Sequence, residues 1–311
     1  MKDQTASARR DLYRGVAKPA FLAALLILLA LTLLAPILTT LKASGPIIVN
    51  TTADPGSAGV CALRDAMTAA NAEAAVNGCP AGTGTDTINF SVSGTITLVG
   101  SLPAIQNTLT IDGTTQAVTV DGANSFQVLA VNGGATLNVN ALTIAQGSKF
   151  CLARWYGSLG GGRCVIYGNG GGIANYGTVM VTNSTFSGNA ALDFIDDTAY
   201  GGTTAGGYGG GIYNQGTLTV TNSTFSGNGT EYVSAIGGGI YNQGTLTVTN
   251  STFSGNIAGV GGGIGNGGTV MVTNSTFSGN PAEIGGCIGN GGTLTVTNST
   301  FSGNGASSGL G

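Results

Sequence analysis

One twenty-residue phrase occurs five times in the C-terminal half of the chain. The clearest copy reads GGGIYNQGTLTVTNSTFSGN, and the five copies occupy residues 170–189, 209–228, 237–256, 261–280 and 285–304. A unit of this length is too short to bury its own apolar face, so each copy must stack on its neighbours. The repeats therefore predict a solenoid.

The pattern inside the phrase indicates which kind of solenoid. Apolar and hydroxyl residues alternate in TLTVT, residues 217–221, which is typical of a strand with one buried face. Glycines interrupt the strands, and Asn214, Asn222 and Asn228 stand where the chain must turn. Three short strands and three corners make one coil of a parallel β-helix, so the predicted fold class is all-β.

Identical residues of successive coils should lie on one another, roughly 4.8 Å apart. Ile212, Leu218, Val220 and Phe225 are expected inside the coil. The sixth residue of the phrase is always Asn, namely Asn175, Asn214, Asn242, Asn266 and Asn290. Stacked amides hydrogen-bond along a column, so these residues are predicted to form a structural ladder and not a binding site.

Composition and charge limit the partners. The chain has 56 Gly, 7% charged residues and no His, which suits sheets and turns better than a helical bundle or a disordered chain. No Lys or Arg follows Arg163, so the repeats offer nothing that would hold a phosphate backbone. We expect no nucleic-acid partner and no cofactor.

Residues 1–43 have the pattern of a signal peptide or signal anchor. The basic residues Lys2, Arg9, Arg10, Arg14 and Lys18 precede an apolar run from Ala20 to Leu34. Because roughly 20 apolar residues span a bilayer, cleavage and retention as an anchor both stay open. The protein is expected to be secreted or on the cell surface, and to touch a membrane only through this segment.

Five cysteines suit an oxidising compartment. The candidate disulfide pairs are Cys61 with Cys79 and Cys151 with Cys164. Cys287 is left over, and it replaces the third Gly of the last phrase. Because the neighbouring Ile288 should point inward, we expect Cys287 to face outward or to lie in a corner.

The residues before the repeats divide into two segments. Residues 44–85 are predicted as an N-terminal cap, because Leu63, Ala66, Met67 and Ala70 recur at helical spacing. A short helix across the first coil would cover its open sheet edge. Residues 86–169 are predicted as degenerate coils with an insertion, and residues 170–311 are the five-copy region. The predicted strands of the degenerate coils are 87–90, 95–98, 109–111, 118–120, 126–131, 137–139 and 142–144.

Two family resemblances rest on these motifs. The stretch IIVNTTADPGSAGVCALRDAMTAANA, followed by Cys79 and TDTINF, resembles the CSLREA domain at the start of exported bacterial β-helix proteins, with CALRDA in the place of the name motif. The GGGI and FSGN elements resemble the GGAI and FxxN repeats of chlamydial polymorphic outer-membrane proteins. The resemblances imply a right-handed parallel β-helix at a bacterial cell surface.

Other parallel β-helices are enzymes that cleave polysaccharides. A lyase needs a base beside Ca²⁺-binding carboxylates, and a hydrolase needs paired carboxylates. The outward positions of the repeats carry Thr, Ser, Gly, Asn, Gln and Tyr instead. Carboxylates gather only at Asp193, Asp196 and Asp197, which form either a Ca²⁺ site or a solvated loop. We expect a non-catalytic protein, and the alternative is a polysaccharide lyase or glycoside hydrolase of the pectate-lyase-like type.

The hydroxyl face of the repeats is a candidate binding surface. Its outward residues are Thr217, Thr219, Thr221, Thr245, Thr247 and Thr249. Such Thr columns resemble those of ice-binding β-solenoids, but Thr is also a good strand former that pairs along a sheet. The leading interpretation is a structural or adhesive surface protein, whose partners are host or neighbouring-cell surfaces, glycans or matrix.

Overall fold

Each repeat folds into three short strands, because its apolar residues alternate with polar ones and its Gly and Asn residues interrupt the strands. The computed structural model describes residues 45–150, 154–155, 162–163, 168–192, 206–229 and 235–310, which belong to one unit, Ser44–Gly311. Three parallel sheets run along this unit, one on each side of the coil.

The strands of the three sheets are as follows. The nine-stranded sheet, called here the long-strand sheet, consists of Ile47–Val49, Thr85–Phe90, Thr108–Asp112, Thr136–Asn140, Thr178–Thr182, Thr217–Thr221, Thr245–Thr249, Thr269–Thr273 and Thr293–Thr297. The six-stranded Ile-Asn sheet consists of Leu129–Val131, Ile173–Asn175, Ile212–Asn214, Ile240–Asn242, Ile264–Asn266 and Ile288–Asn290. The eight-stranded Phe sheet consists of Gly94–Thr97, Val118–Asp121, Leu142–Ala145, Thr185–Ser187, Thr224–Ser226, Thr252–Ser254, Thr276–Ser278 and Thr300–Ser302.

Identical residues of adjacent repeats are paired in register, as the sequence predicts. Leu218 lies beside Leu246, and the ring of Phe225 stacks on that of Phe253 with centroids 4.7 Å apart. These side chains are fully buried. The core is therefore a continuous column of aliphatic and aromatic side chains that extends as far as Phe277, whereas Val296 and Phe301 of the last repeat are exposed.

The corners explain why Asn and Gly stand at the same positions in every copy of the phrase. Asn222 ends the long strand with a φ of 49°, a left-handed conformation that Asn tolerates better than most residues. The third Gly of the phrase lies against the core, because a Cβ on Gly211 would be 2.5 Å from the carbonyl oxygen of Gly239 and 3.2 Å from the ring of Phe225. Only glycine fits there without displacing the neighbouring coil.

Cys287 occupies the same position in the last repeat, and the sequence left open whether it faces outward or lies in a corner. The chain bends at residues 285–287, so Cys287 lies in a corner. It is half-buried and packs against the hydrophobic core. Burial raises the pKa of the Cys287 thiol.

The N-terminal segment contains the predicted helix, Leu63–Ala72, which contacts the first two strands of the long-strand sheet. Leu63, Ala66, Met67 and Ala70 are buried beneath it. Cys61 and Cys79 form the predicted disulfide. Cys151 and Cys164, the second candidate pair, lie outside the described residues.

Arg64, within the CALRDA motif, fixes the helix to the neighbouring loops. Its guanidinium donates to both carboxylate oxygens of Asp54, each at 2.7 Å, and to the carbonyl oxygens of Gly100 and Ser101. A bidentate, charge-assisted pair of this kind is among the stronger hydrogen-bonding arrangements. The motif therefore has a structural role in the cap.

Two features of the strands differ from the prediction. The strand expected at 126–131 begins only at Leu129, because Ser125 and Phe126 donate their backbone N–H groups to the carbonyl of Gly122 and form a turn. Segments outside the phrases also form strands, where the residues that directly follow one coil pair with those that follow the next. These strands are Ser148–Phe150 with Ala190–Leu192, and Ala258–Val260 with Ala282–Ile284 and Ala306–Leu310.

The insertion contributes one antiparallel pair, Arg154–Trp155 with Gly162–Arg163. Within the described part of the chain, no helix has the length and apolar character needed to cross a membrane. The hydrophobic run predicted as a signal peptide or anchor lies outside that part.

Candidate functional site

The outer face of the long-strand sheet presents the predicted Thr columns. Thr217, Thr219 and Thr221 lie beside Thr245, Thr247 and Thr249, and all six are exposed or half-buried. The two outer columns continue as Thr through all five repeats, whereas Met180 and Met271, 46% and 51% exposed, interrupt the middle column. The face carries hydroxyl and thioether groups, which neither donate nor accept protons readily at neutral pH.

The predicted Asn ladder lies at the corner between the Ile-Asn sheet and the long-strand sheet. Each side-chain amide donates to the amide oxygen of the next coil, from Asn175 through Asn214, Asn242 and Asn266 to Asn290, at 2.7, 2.6, 2.9 and 2.7 Å. The first four residues are buried. Their hydrogen-bonding groups are directed at one another and at backbone carbonyls, so the ladder is structural.

A second ladder, which the sequence analysis missed, ends each phrase. Asn189, Asn228, Asn256, Asn280 and Asn304 are joined by amide hydrogen bonds of 2.9, 2.8, 2.9 and 2.9 Å. Asn228 was assigned only to a turn, although Asn occupies the same phrase position in all five copies. This repetition was the signal that could have identified the ladder.

The outer face of the Ile-Asn sheet carries a tyrosine cluster, which was also not predicted. The rings of Tyr208 and Tyr241 stack with centroids 4.9 Å apart, and Tyr213 lies 5.8 Å from both Tyr176 and Tyr241. Burial and then the neighbouring tyrosines raise the pKa of Tyr213 to about 12. The Tyr213 hydroxyl donates to Oε1 of Gln243, whose Nε2 donates to the Tyr241 hydroxyl, both at 3.0 Å.

A groove of about 340 Å³ begins where the tyrosine cluster ends. One side is formed by the column of Ile236, Val260 and Ile284, and the opposite side by Asn266 and Asn290. Tyr241 closes one end, and glycines form the floor. We call this the tyrosine groove. Its lining, all within the described residues, is uncharged.

Two other depressions have different linings. One of about 350 Å³ follows the spacer strands and includes Glu283, and one of about 270 Å³ near the N-terminal cap includes Asp86. Beyond Arg163, Glu283 is the only charged residue in the part of the chain that the structure describes. Asp193, Asp196 and Asp197 lie outside them. The described residues contain no group of three His, Cys, Asp or Glu side chains that could hold a metal ion.

Comparisons with known proteins bear on the fold. The family described as "Right handed beta helix region" matches residues 208–310. A crystal structure of Jun a 1, the major allergen from cedar pollen, is similar over 83% of this chain and 77% of that chain, at 15% identity and a TM-score of 0.39. No curated protein matches the sequence. The family match and the stacked parallel sheets confirm the predicted fold class, an all-β, right-handed parallel β-helix.

Proposed function

We propose that this protein is exported by a bacterium and serves at the cell surface as a structural or adhesive β-helix, without catalysing a reaction. The basic and apolar pattern of residues 1–43 supports export. The CSLREA-like segment and the repeats resemble parts of bacterial surface proteins. The observation that carries the proposal is the structure of the repeats. Their buried Asn side chains hydrogen-bond to one another from coil to coil, and their outward side chains are uncharged.

The interior supports a structural role. Two buried Asn ladders and a column of stacked Phe rings join every repeat to the next. Separating two coils would break several hydrogen bonds at once, each worth about 0.5–1.5 kcal/mol net, and would expose the apolar surface between the coils to water. Such a rod can project a binding face away from a cell.

The exterior of the repeats supports adhesion more than catalysis. A glycoside hydrolase uses two carboxyl groups on either side of the scissile bond, whereas Glu283 has no second carboxylate near it in the described repeats. The alternative, a polysaccharide lyase or hydrolase, places catalysis at Asp193, Asp196 and Asp197. Ice binding would use the Thr columns.

One set of measurements tests these functions against each other. The full-length protein is incubated with bacterial and host cells and with neutral and uronate polysaccharides, and bound protein and soluble fragments are both measured. We expect binding without release of fragments, and the same binding by the triple variant D193A/D196A/D197A.

Release of sugar fragments that disappears in the triple variant would overturn the non-catalytic assignment. Absence of binding, together with resistance of the protein to protease added outside the producing cells, would overturn the surface role. Thermal hysteresis lost in a Thr219→Lys variant would point to ice binding instead.

A further inference from the structure

The tyrosine groove arises from a difference among the repeats. The fifth and seventh residues of the phrase are Tyr and Gln in the second and third copies, but both are Gly in the fourth and fifth. The Ile-Asn sheet therefore changes along its length from an aromatic surface to an open trough. The structural ladders are unaffected, because the Asn between these two positions is the same in every copy.

The glycines at the two positions are not equivalent. A Cβ on Gly265 would lie 2.5 Å from Cγ2 of Ile236, so the Ile236 side chain already occupies the space above the fifth position. At Gly267 the nearest atoms to a Cβ are 3.8 Å and 3.9 Å away, and at Gly291 the nearest is 3.6 Å away. A side chain at the seventh position would therefore meet only ordinary van der Waals contacts, and folding does not require glycine there.

The groove has the chemistry of a site for an uncharged, amphipathic ligand. Tyr241 and the aliphatic wall offer an apolar surface. The exposed amide of Asn290 accepts from Asn266 and donates to the carbonyl of Gly292, which leaves one amide hydrogen and one oxygen lone pair for a ligand. No charged side chain of the described residues lines it, so anionic ligands gain no attraction. A neutral sugar has an apolar ring face and hydroxyls at its edge, and it matches both sides.

A peptide fits this groove less well. Peptides bind sheets mainly by adding a strand to an open edge, whereas the groove lies on the face of a sheet. Its backbone is already paired, since the N–H groups of Gly267 and Gly291 donate to the carbonyls of Asn242 and Asn266. A purely apolar partner would have to bury the remaining amide hydrogen and lone pair of Asn290 without partners, which is costly.

We propose that the tyrosine groove binds a short segment of a neutral glycan, with Tyr241 packing against a sugar ring and Asn290 contacting its hydroxyls. Ligand sites occupy roughly 300–1,000 Å³, so about 340 Å³ accommodates only a few sugar units. This inference rests on the proposed adhesive function, and it names the ligand class and the surface.

The test uses variants that fill or open the groove without altering the core. In G267Q/G291Q, the trough regains the Gln found in the second and third repeats, where Gln215 and Gln243 already lie in contact. Tyr241→Ala removes the end wall. Thr247→Ala, on the long-strand sheet, is the matched control. Circular dichroism and the Tm report whether each variant folds.

The full-length protein and its variants are applied to an array of neutral and uronate oligosaccharides, and the Kd for the best neutral ligand is measured by calorimetry. We expect the wild type and Thr247→Ala to bind neutral oligosaccharides alike. We expect G267Q/G291Q and Tyr241→Ala to lose at least about tenfold in affinity, or 1.4 kcal/mol.

The inference is overturned if the wild type binds no neutral oligosaccharide, binds only uronates, or is unaffected by filling the groove. Binding to whole cells is measured in parallel. If cells are bound by G267Q/G291Q as by the wild type, the groove is not the adhesive site, although adhesion itself stands. If neither the wild type nor any variant binds cells, but only the groove variants have lower affinity for the oligosaccharide, the glycan site stands without the adhesive role.

Discussion

The second Asn ladder makes a strong prediction about stability, which we develop for Asn256→Ala. Asn256 is fully buried in the third repeat. Its Nδ2 donates to Oδ1 of Asn280 and to the carbonyl of Phe225, at 2.9 and 3.0 Å. Its Oδ1 accepts from the backbone N–H and from Nδ2 of Asn228, at 3.0 and 2.8 Å. The substitution removes all four hydrogen bonds.

The magnitude follows from the groups left without partners. The backbone N–H and the Nδ2 group of Asn228 lose their acceptor, and the carbonyl of Phe225 loses a donor. At about 1–3 kcal/mol for each unsatisfied buried group, three groups give about 3–9 kcal/mol. Because Asn228 Nδ2 keeps its hydrogen bond to the carbonyl of Phe186, we expect the free energy of unfolding to fall by the lower part of this range, about 3–5 kcal/mol. Because Asn→Ala also leaves a small cavity, little of this is recovered by repacking.

The assay is urea unfolding followed by circular dichroism and Phe-region absorbance, with Asn250→Gly as the control. Asn250 belongs to the same repeat but is exposed, with a φ of 50° that glycine adopts without strain. Its replacement should cost about 1 kcal/mol or less. The reasoning is refuted if Asn256→Ala costs no more than Asn250→Gly.

Three further predictions concern other parts of the fold. Gly211→Ala should lower the free energy of unfolding by about 1–3 kcal/mol, because its Cβ would overlap the next coil; a Tm equal to that of the wild type contradicts this. The pKa of Tyr213 is raised to about 12 in the folded protein, above the usual 10. Its contribution to stability is therefore complete below pH 10 and is lost as the pH rises towards 12. Tyr213→Phe should make Tm fall less steeply with pH in that range, and a fall as steep as that of the wild type would show that Tyr213 is not its cause. Reduction of the Cys61–Cys79 disulfide, which spans 18 residues, should cost about 3 kcal/mol and increase proteolysis of the cap; cleavage rates that do not change on reduction would count against it.

The sequence was sufficient to predict the coil and its register. The alternation in TLTVT gives the inward and outward faces, and the recurrence of Ile212, Val220 and Phe225 in each copy fixes which residues stack. One-residue shifts would expose the apolar set, so this pattern determines the register strongly. The helix over the first coil was predicted for the same reason, from its apolar spacing.

What the sequence did not predict depends on packing between coils. Residue alternation left open whether Cys287 faces outward or lies in a corner, and only the bend at residues 285–287 shows that it lies in the corner, packed against the core. The tyrosine groove depends on Gly267 and Gly291 being adjacent in space, although they are 24 residues apart in the chain. Their pairing follows only when the coils are stacked. Asn256 and its counterparts looked like turn residues because Asn suits both corners and ladders.

The central claim is that the repeats form one continuous parallel β-helix, and the distance along its axis tests this most directly. Thr110 and Thr295 occupy one column of the long-strand sheet, six strand spacings apart through Asn138, Met180, Thr219, Thr247 and Met271. At about 4.8 Å for each spacing, spin labels introduced at Thr110 and Thr295 as unnatural amino acids should give one narrow distance distribution near about 29 Å in double electron–electron resonance. A broad distribution, or a distance far from this value, would contradict the stacked coil.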